Sequence, residues 1–532
     1  MSRVLSFLIL PLFLLDAQGV AAQANPAVEP VWVLLRDRGP EVETDRGAAL
    51  AAAAETLPVR TQERRRLRSS LATAGEWDLP PSPNYRQQVL ATGASLRHES
   101  RWLNAISVMA TPDQQRQLAG LPFVLEVRPV ARGTRAPLPR AEALPPSGPA
   151  GRLLDYGASF AQLDEIDVPR VHEAGLNGAG VVVLMLDTGY YTDHEALPEA
   201  QVLAEWDFIN NDNETQNQPG DAPDQHNHGT LTLSALGGSF PGQIYGPAWG
   251  ASFLLAKTED VTSETPVEED HYIAALEWGE LLGADVASGS LGYIDWYTIG
   301  DLDGQTAPTC AAVNQAVALG MVVCVSAGNE RNSDWGHIVT PADATGAIAV
   351  GAVNSANVIA SFSSPGPTAD GRIKPEVCAR GVSTVCAGID APDHYRTASG
   401  TSLSCPLVGG SVALVIQAHP DWTPGQVREA LLNTADRAAT PDNDFGWGRI
   451  RTGQAIEYTR APLELGITLE GAAIRLDWQA GVGSGYRVYS APEPGGPWTQ
   501  MAETQSTTWL HEDALASGRL CYRVVSVGTV LP

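Results

Sequence analysis

Four polar residues of this 532-residue chain have the types that a covalent acyl-transfer site needs: Asp187, His228, Asn329 and Ser402. A serine hydroxyl is a poor nucleophile at its free pKa and needs an adjacent base. An imidazole can be that base, and a carboxylate holds it in the required tautomer. An amide side chain and a backbone N–H can stabilise the oxyanion that forms. The four residues together predict nucleophilic catalysis at a serine.

Each of these residues also has a simpler interpretation when it is taken alone. Ser402 lies in "SGTSLSCPLVGG", directly ahead of an apolar run with Pro406 in its first turn, and a serine there is usually a helix cap. Asp187 and Asn329 end apolar runs, where turn or cap residues are common. His228 precedes a helical segment, where a structural histidine is common. Only their combination favours catalysis.

The segments around these residues predict how they are positioned. Short, near-continuous apolar runs such as "GVVVLMLDTG", "ASFLLAKTED", "MVVCVSAGNE" and "AIAVGAV" alternate with helical segments such as "EEDHYIAALEWGELLG". Such runs suit strands that are covered on both faces, which predicts an α/β fold with a doubly wound, mostly parallel sheet. Residues at the carboxyl ends of such strands line one crevice. Asp187 and Asn329 should therefore lie near one another.

Five short motifs add a resemblance to a known family. The chain resembles the subtilisin-like serine peptidases over roughly Tyr156 to Thr452, through "DTG", "HGT", "SLG", "AGN" and "GTSLSCP" in the family's order. The resemblance implies that Ser402 is the nucleophile, that His228 is the general base and acid, and that Asp187 orients His228.

The same resemblance assigns supporting roles. Asn329 and the Ser402 N–H would form the oxyanion hole, and Ser290, Leu291 and Gly292 of "SLG" would contact substrate. No metal or other cofactor is implied. The chain departs from the family pattern at Leu231 and in "SLSCP", both on the helices behind the catalytic residues, which should alter packing more than chemistry.

Composition and the family resemblance together predict five parts in the chain. Residues 1–24 have a lone Arg3, an apolar run and small residues, which is typical of a secretory signal peptide. Residues 25–135 resemble an inhibitor-type propeptide of α+β structure through the strand-helix-strand pattern of "LNAISVMATPDQQRQLAGLPFVLEVRPV". Residues 136–154 are predicted to be a Pro/Gly-rich linker with the maturation site. Residues 155–460 form the peptidase domain. Residues 461–532 have short alternating strands and resemble a fibronectin type III β-sandwich.

Charge is divided unevenly between these parts. Residues 1–154 hold 18 basic and 14 acidic residues, whereas the rest of the chain has a net charge of −31. The acidic part disfavours nucleic acid as a partner, and the opposite signs suggest that the N-terminal part docks on the rest. The run "RTQERRRLRSS" (Arg60–Ser70) is predicted to be one face of a solvated helix.

Two further segments raise the question of metals and disulfides. The acidic run "TEDVTSETPVEED" (Thr258–Asp270) could bind calcium, but its spacing does not match an EF-hand loop, and we expect a solvated loop. The six cysteines show no zinc spacing. Because export permits disulfides, Cys378 and Cys386 are the favoured pair.

The sequence therefore predicts a secreted serine endopeptidase, extracellular or periplasmic, that is made as a zymogen. Its expected partners are protein or peptide substrates and its own propeptide as an intramolecular inhibitor, with no membrane anchor. The alternative is a catalytically inactive exported binding or adhesion protein that acts through the C-terminal module. Whether an active enzyme would be a narrow processing peptidase or a broad degradative one stays open.

Overall fold

The computed structural model describes most of the chain. The described residues are 27–130, 144–148, 153–197, 201–261, 269–294, 296–458, 465–478, 485–492, 499–512, 514 and 520–527. The predicted signal peptide and most of the predicted linker lie outside them.

The N-terminal domain is an antiparallel sheet with five helices. The strands are β1 (Glu29–Leu35), β2 (Ser95–Ser100), β3 (Ala105–Ala110) and β4 (Val124–Pro129), in the order β2-β3-β1-β4. The helices are α1 (Pro40–Thr44), α2 (Arg46–Thr56), α3 (Val59–Arg68), α4 (Pro83–Leu90) and α5 (Pro112–Ala119). As predicted, a helix begins at Thr111-Pro112, where Thr111 and Gln114 form a reciprocal capping box.

The central domain is built on a seven-stranded parallel sheet. Its strand order is β13-β12-β11-β10-β5-β9-β6. These strands are β5 (Val182–Asp187), β6 (Val202–Asp207), β9 (Ser252–Lys257), β10 (Val286–Gly289), β11 (Val322–Ser326), β12 (Ile348–Val353) and β13 (Val377–Arg380). Short strands form two further pairs: β7 (Ser239–Phe240) with β8 (Ile244–Tyr245), and β14 (Thr384–Ala387) with β15 (Tyr395–Ala398).

Helices cover both faces of this sheet, which confirms the predicted doubly wound α/β fold. They are α6 (Phe160–Asp164), α7 (Val168–Glu173), α8 (Asn227–Gly237), α9 (Glu269–Leu281), α10 (Pro308–Ala318), α11 (Thr401–Ala418), α12 (Pro424–Thr434) and α13 (Thr452–Ile456). The side chains of β5 alternate between two cores: Val183 packs in a core with α11, and Leu184 packs in a core with α9 and α10. Alternation of this kind makes every residue of β5 buried.

Helix α11 passes through the centre of this domain. By length and composition its 18 residues could cross a membrane, but 89% of that stretch is buried inside the protein. It therefore belongs to the core between the sheet and the surrounding helices.

The C-terminal module contains two small antiparallel sheets. Their strand orders are β16-β17-β20 and β19-β18-β21. The strands are β16 (Leu465–Glu470), β17 (Ala473–Trp478), β18 (Gly485–Ala491), β19 (Thr499–Thr504), β20 (Thr508–His511) and β21 (Cys521–Val527). Trp478 and Tyr486 lie in a shared core, as expected from the sequence. That this module is of the fibronectin type III class stays a prediction.

Three expectations from the sequence are wrong. Cys378 and Cys386 are free thiols, because β13 belongs to the large sheet and β14 to a separate hairpin. The arginine run is not solvated: Arg64, Arg65 and Arg68 are buried against the central domain. The acidic run is not wholly solvated either, since its last two residues, Glu269 and Asp270, begin α9 and are fully buried.

Candidate active site

The predicted site residues converge at one edge of the parallel sheet. Asp187 is the last residue of β5, Ser290 directly follows β10, and Asn329 follows β11 by three positions. His228 and Ser402 are each the second residue of a helix, α8 and α11 respectively. Parallel strands end at a common edge, and the helices that follow such strands begin there. Topology thus gathers residues that are far apart in sequence.

Asp187 and His228 form a hydrogen-bonded pair. The ring Nδ1 lies 2.6 Å from Asp187 Oδ1, and both side chains are almost fully buried. Since a carboxylate only accepts, Nδ1 carries the proton in this pair, which leaves Nε2 as the basic nitrogen of the neutral ring. Asp187 accepts two further bonds, from the Thr188 N–H at 2.8 Å and from Thr232 Oγ1 at 2.9 Å. Three hydrogen bonds therefore fix the position of the Asp187 carboxylate.

The glycines of two motifs have structural reasons. A Cβ on Gly229 would lie 2.0 Å from the carbonyl oxygen of Gly189, so only glycine lets α8 begin this close to the loop after β5. Gly400 has φ +150° and ψ 157°, a conformation that residues with a Cβ avoid, and it leads directly into α11. Both glycines set where the next helix begins, and so where His228 and Ser402 lie.

Asn329 is tied to the beginning of the helix that carries Ser402. Its Oδ1 accepts from the Thr401 N–H at 2.9 Å and from Thr401 Oγ1 at 3.1 Å. Gly400 has no side chain to cap this helix, so the Asn329 oxygen satisfies one of the free N–H groups of the first turn. With its oxygen engaged in this way, Asn329 has its NH₂ group available as a donor.

Ser290 and Pro406 together fix the backbone of Ser402. Proline at position 406 has no N–H, so the carbonyl four residues earlier, that of Ser402, lacks its usual donor within the helix. Ser290 Oγ donates to this carbonyl oxygen at 3.0 Å. Pro406 therefore leaves the Ser402 carbonyl without a donor inside α11, and Ser290, which directly follows β10, supplies one. Sequence reasoning placed Ser290 near substrate but missed this contact.

Other polar groups near the site have separate functions. Burial raises the pKa of the Cys405 thiol to about 12, so this residue, three after Ser402, stays neutral and is no rival nucleophile. His194 is buried and bonds the carbonyl of His394 at 2.9 Å.

Thr232 was not recognised from the sequence, although its position four residues after His228 places both on one face of α8.

Among the described residues, His98, Asp270 and His271 form the one group of three whose donor atoms lie within 4.8 Å of one another, as metal ligands do. Arg97 already binds this group, with its Nε and Nη2 at 2.8 and 3.0 Å from the Asp270 oxygens. Arg97 Nη2 also lies 3.0 Å from His271 Nε2. The group therefore fits an ion pair between the N-terminal and central domains better than a metal site.

Comparison with known proteins agrees with this geometry. The profile of the Peptidase S8 or subtilase family matches residues 178–448, about half of the chain. The chain belongs to the subtilase family. This subtilase also matches, at residues 30–142, the Peptidase S8 propeptide domain of Bacteroidota, so we call its N-terminal domain the propeptide from here on.

Curated relatives extend the match over the central domain. The subtilase is 30% identical over 310 residues to Serine protease AprX of Bacillus subtilis (strain 168), covering 53% of this chain and 67% of that protein. It is 33% identical over 293 residues to Subtilisin E of the same strain, covering 54% and 68%. It is 31% identical over 296 residues to Subtilisin Savinase of Lederbergia lenta, covering 54% and 95%. The protein is a subtilisin-like serine endopeptidase with a propeptide domain.

Proposed function

We propose that Asp187, His228 and Ser402 form the catalytic triad of this endopeptidase. The observation that carries the proposal is the 2.6 Å contact between His228 Nδ1 and Asp187 Oδ1, which leaves Nε2 as the base. Helices α8 and α11, which carry His228 and Ser402, pack against each other. On this proposal Nε2 faces Ser402 Oγ, and the acid–base partner of the nucleophile is supplied by the neighbouring helix.

Acyl transfer then proceeds in two halves. Ser402 Oγ attacks the carbonyl carbon of the scissile bond while His228 Nε2 takes the hydroxyl proton, and the carbonyl electrons move to its oxygen. Asn329 and the Ser402 N–H donate to this oxyanion. The carbonyl re-forms, the C–N bond breaks, and His228 gives its proton to the leaving amine. Water repeats the sequence on the acyl-enzyme and releases the acid and Ser402.

The Ser290–Gly292 segment is proposed to bind the substrate backbone. It directly follows β10, at the same edge of the sheet as the proposed triad. A Cβ on Gly292 would lie 2.2 Å from Val339 Cγ2, so glycine allows this segment to lie close to the neighbouring loop. Leu291 is buried, which helps to fix the segment in place. Substrate bound here would lie against a segment that is hydrogen-bonded to the Ser402 carbonyl through Ser290.

We further propose that the enzyme is secreted as a zymogen and cuts itself in the 136–154 linker. The signal-like residues 1–24 and the matched propeptide domain support this proposal. The rival, an inactive exported binding protein, would keep the fold but would not need the buried Asp187–His228 pair.

A peptidase assay tests the proposal. The purified mature protein should hydrolyse casein or a fluorogenic peptide, and a serine-directed phosphonate should abolish this activity by adding one label at Ser402. The matched control is Ser404→Ala, because Ser404 lies on the same helix and donates to the Thr401 carbonyl within it. A folded wild-type protein that neither cleaves nor takes the label would contradict the assignment.

A further inference from the structure

Helices α9, α10 and α11 end at the edge of the central sheet opposite the proposed active site. Asp285 marks this edge, because it directly precedes β10 and its carboxylate accepts from the N–H of Val182, the first residue of β5, at 2.9 Å. Helix α11 begins beside Ser402 and runs for 18 residues to Ala418. At 1.5 Å per residue, the two ends of this helix are about 27 Å apart.

Helix α3 of the propeptide docks on this remote edge and caps α9. The last carbonyls of a helix lack donors from the helix itself and carry partial negative charge. Thr61 Oγ1 donates to the Leu281 carbonyl at 2.6 Å, and Arg64 Nη1 donates to the Ala284 carbonyl at 2.6 Å. Arg60 Nε donates to the carbonyl of Gly283 at 3.0 Å. The Leu281 carbonyl is the last of α9, whereas those of Gly283 and Ala284 lie in the turn between α9 and β10, so side chains of one propeptide helix cover the end of α9 and this turn.

The same segment reaches the ends of the other two helices. Ser69 Oγ and the Ser70 N–H each donate at 2.9 Å to the carbonyl of Ala318, the last residue of α10. Arg68 Nε donates at 2.8 Å to the carbonyl of Pro420, two residues beyond α11. The contact therefore reaches the ends of α9 and α10 and the turn just beyond α11.

Ion pairs reinforce these hydrogen bonds. Glu280 of the central domain is fully buried and pairs with both Arg64 and Arg65. Asp285 is almost fully buried and pairs with Arg60 and Arg68. A buried carboxylate without a partner is strongly disfavoured, so the propeptide arginines are a condition for keeping these charges buried.

The arrangement of arginines along α3 is specific to this face. Arg60, Arg64 and Arg68 follow one another at four-residue spacing, which places them on one side of the helix. Arg66, which is not part of that series, is exposed. A solvated basic helix would show no such division between paired and exposed arginines.

We infer that this edge is a second docking site for the propeptide, and that α3 holds the propeptide on the enzyme after the linker has been cut. The inference rests on the proposed function only for the statement that the propeptide inhibits. Once the new C-terminal end leaves the cleft, a propeptide anchored at the opposite edge keeps that end near the active site. Tethering of this kind gives an effective concentration on the order of millimolar, so the α3 contacts add to those between β2 and α9, such as Arg97 with Asp270, in slowing release of the propeptide.

The test measures dissociation of a cut but inactive complex. The full chain carries Ser402→Ala and one recognition sequence for an added specific protease within residues 136–143. After the cut, the Kd of the propeptide is measured from its loss from the immobilised central domain at decreasing concentration. Arg64→Met should raise this Kd at least about 30-fold, because removing one partner of a buried interfacial charge pair costs about 2–5 kcal/mol and each 1.4 kcal/mol is tenfold.

The matched control is Arg66→Met on the exposed side of the same helix, which should change the Kd less than threefold. If Arg64→Met prevents folding, Arg60→Gln decides. Arg60 is 42% exposed at the border of the contact, and loss of both its ion pair with Asp285 and its bond to the Gly283 carbonyl should raise the Kd about 3- to 10-fold. Equal Kd values for the Arg60, Arg64 and Arg66 variants would overturn the inference. Since the added protease makes the cut, this outcome is independent of whether the proposed triad is correct.

Discussion

Replacement of Asn329 by alanine should reduce turnover far more than substrate binding. The Asn329 oxygen is engaged by the N–H and hydroxyl of Thr401, at 2.9 and 3.1 Å, so its NH₂ group is the part available to an oxyanion. On the proposed function, that donor acts on charge that exists only in the transition state. Its loss should therefore appear in kcat and leave KM nearly unchanged.

Two separate contributions determine the size of the effect. Removing one oxyanion donor costs about 2.7–4 kcal/mol, or 10²- to 10³-fold in kcat, a range established for a subtilisin. Alanine also removes the oxygen that caps the first turn of α11, which should cost about 1 kcal/mol of folding stability. Asn329→Asp separates the two, because a carboxylate keeps the acceptor for Thr401 but cannot donate. It should lose at least as much turnover as alanine without the loss in stability.

The assay uses a fluorogenic peptide, with enzyme concentration fixed by titration with a serine-directed phosphonate and stability followed by thermal unfolding. Asn332→Ala is the control, since Asn332 is exposed and its amide bonds the carbonyl of Ser361. It should stay within twofold of wild type. A kcat loss below tenfold for both Asn329 variants, or a loss confined to KM, would show that Asn329 positions substrate and does not bind the oxyanion.

Three further predictions concern Ser402, the bond from Thr232 to Asp187, and His172, a buried residue of α7. Ser402→Ala should accumulate as an uncut precursor, which N-terminal sequencing would show; cutting at the wild-type position would mean that another peptidase matures the protein. Thr232→Val should lower kcat about 10- to 150-fold, because Asp187 loses a charge-assisted bond of about 1.5–3 kcal/mol, and Thr232→Ser should restore it. Burial lowers the pKa of His172 to about 4, so its contribution to stability is complete above pH 6.5 and is lost as the pH falls towards 4. Urea unfolding of the inactive precursor should show about 2 kcal/mol of this loss at pH 5, and a His172→Gln variant should lose correspondingly less between pH 7 and pH 5.

The part of the structure that follows local rules was predictable from the sequence. The runs that contain β5 and β11 are apolar and short, and each is followed by a polar motif residue, Asp187 or Asn329. Because parallel strands end at one edge, their order along the chain was not needed to predict that these residues would meet. The helix after Thr111 was also predictable, since its capping box depends only on neighbouring residues.

Contacts between distant segments were not predictable in this way. The spacing of Arg60, Arg64 and Arg68 indicates one face of a helix, but a solvated face and a docked face have the same spacing. Only the fold shows that Glu280 and Asp285 lie opposite them. The difference in net charge did indicate that the two regions attract each other, and the ion pairs between them confirm it. The predicted Cys378–Cys386 disulfide was wrong for the same reason. The two residues are close in sequence, but they lie in different sheets.

Pro406 contributes to this site by the bond that it cannot make. With an N–H at position 406, the helix itself would compete for the Ser402 carbonyl that Ser290 now holds. On the proposed function Ser290 also borders the bound peptide. A displacement of its segment by the substrate is therefore passed through one hydrogen bond to the backbone of the nucleophile, which couples substrate binding to the position of Ser402. Pro406→Ala would give α11 its own N–H donor for the Ser402 carbonyl. Peptide binding at the Ser290 segment would then no longer affect the backbone of Ser402.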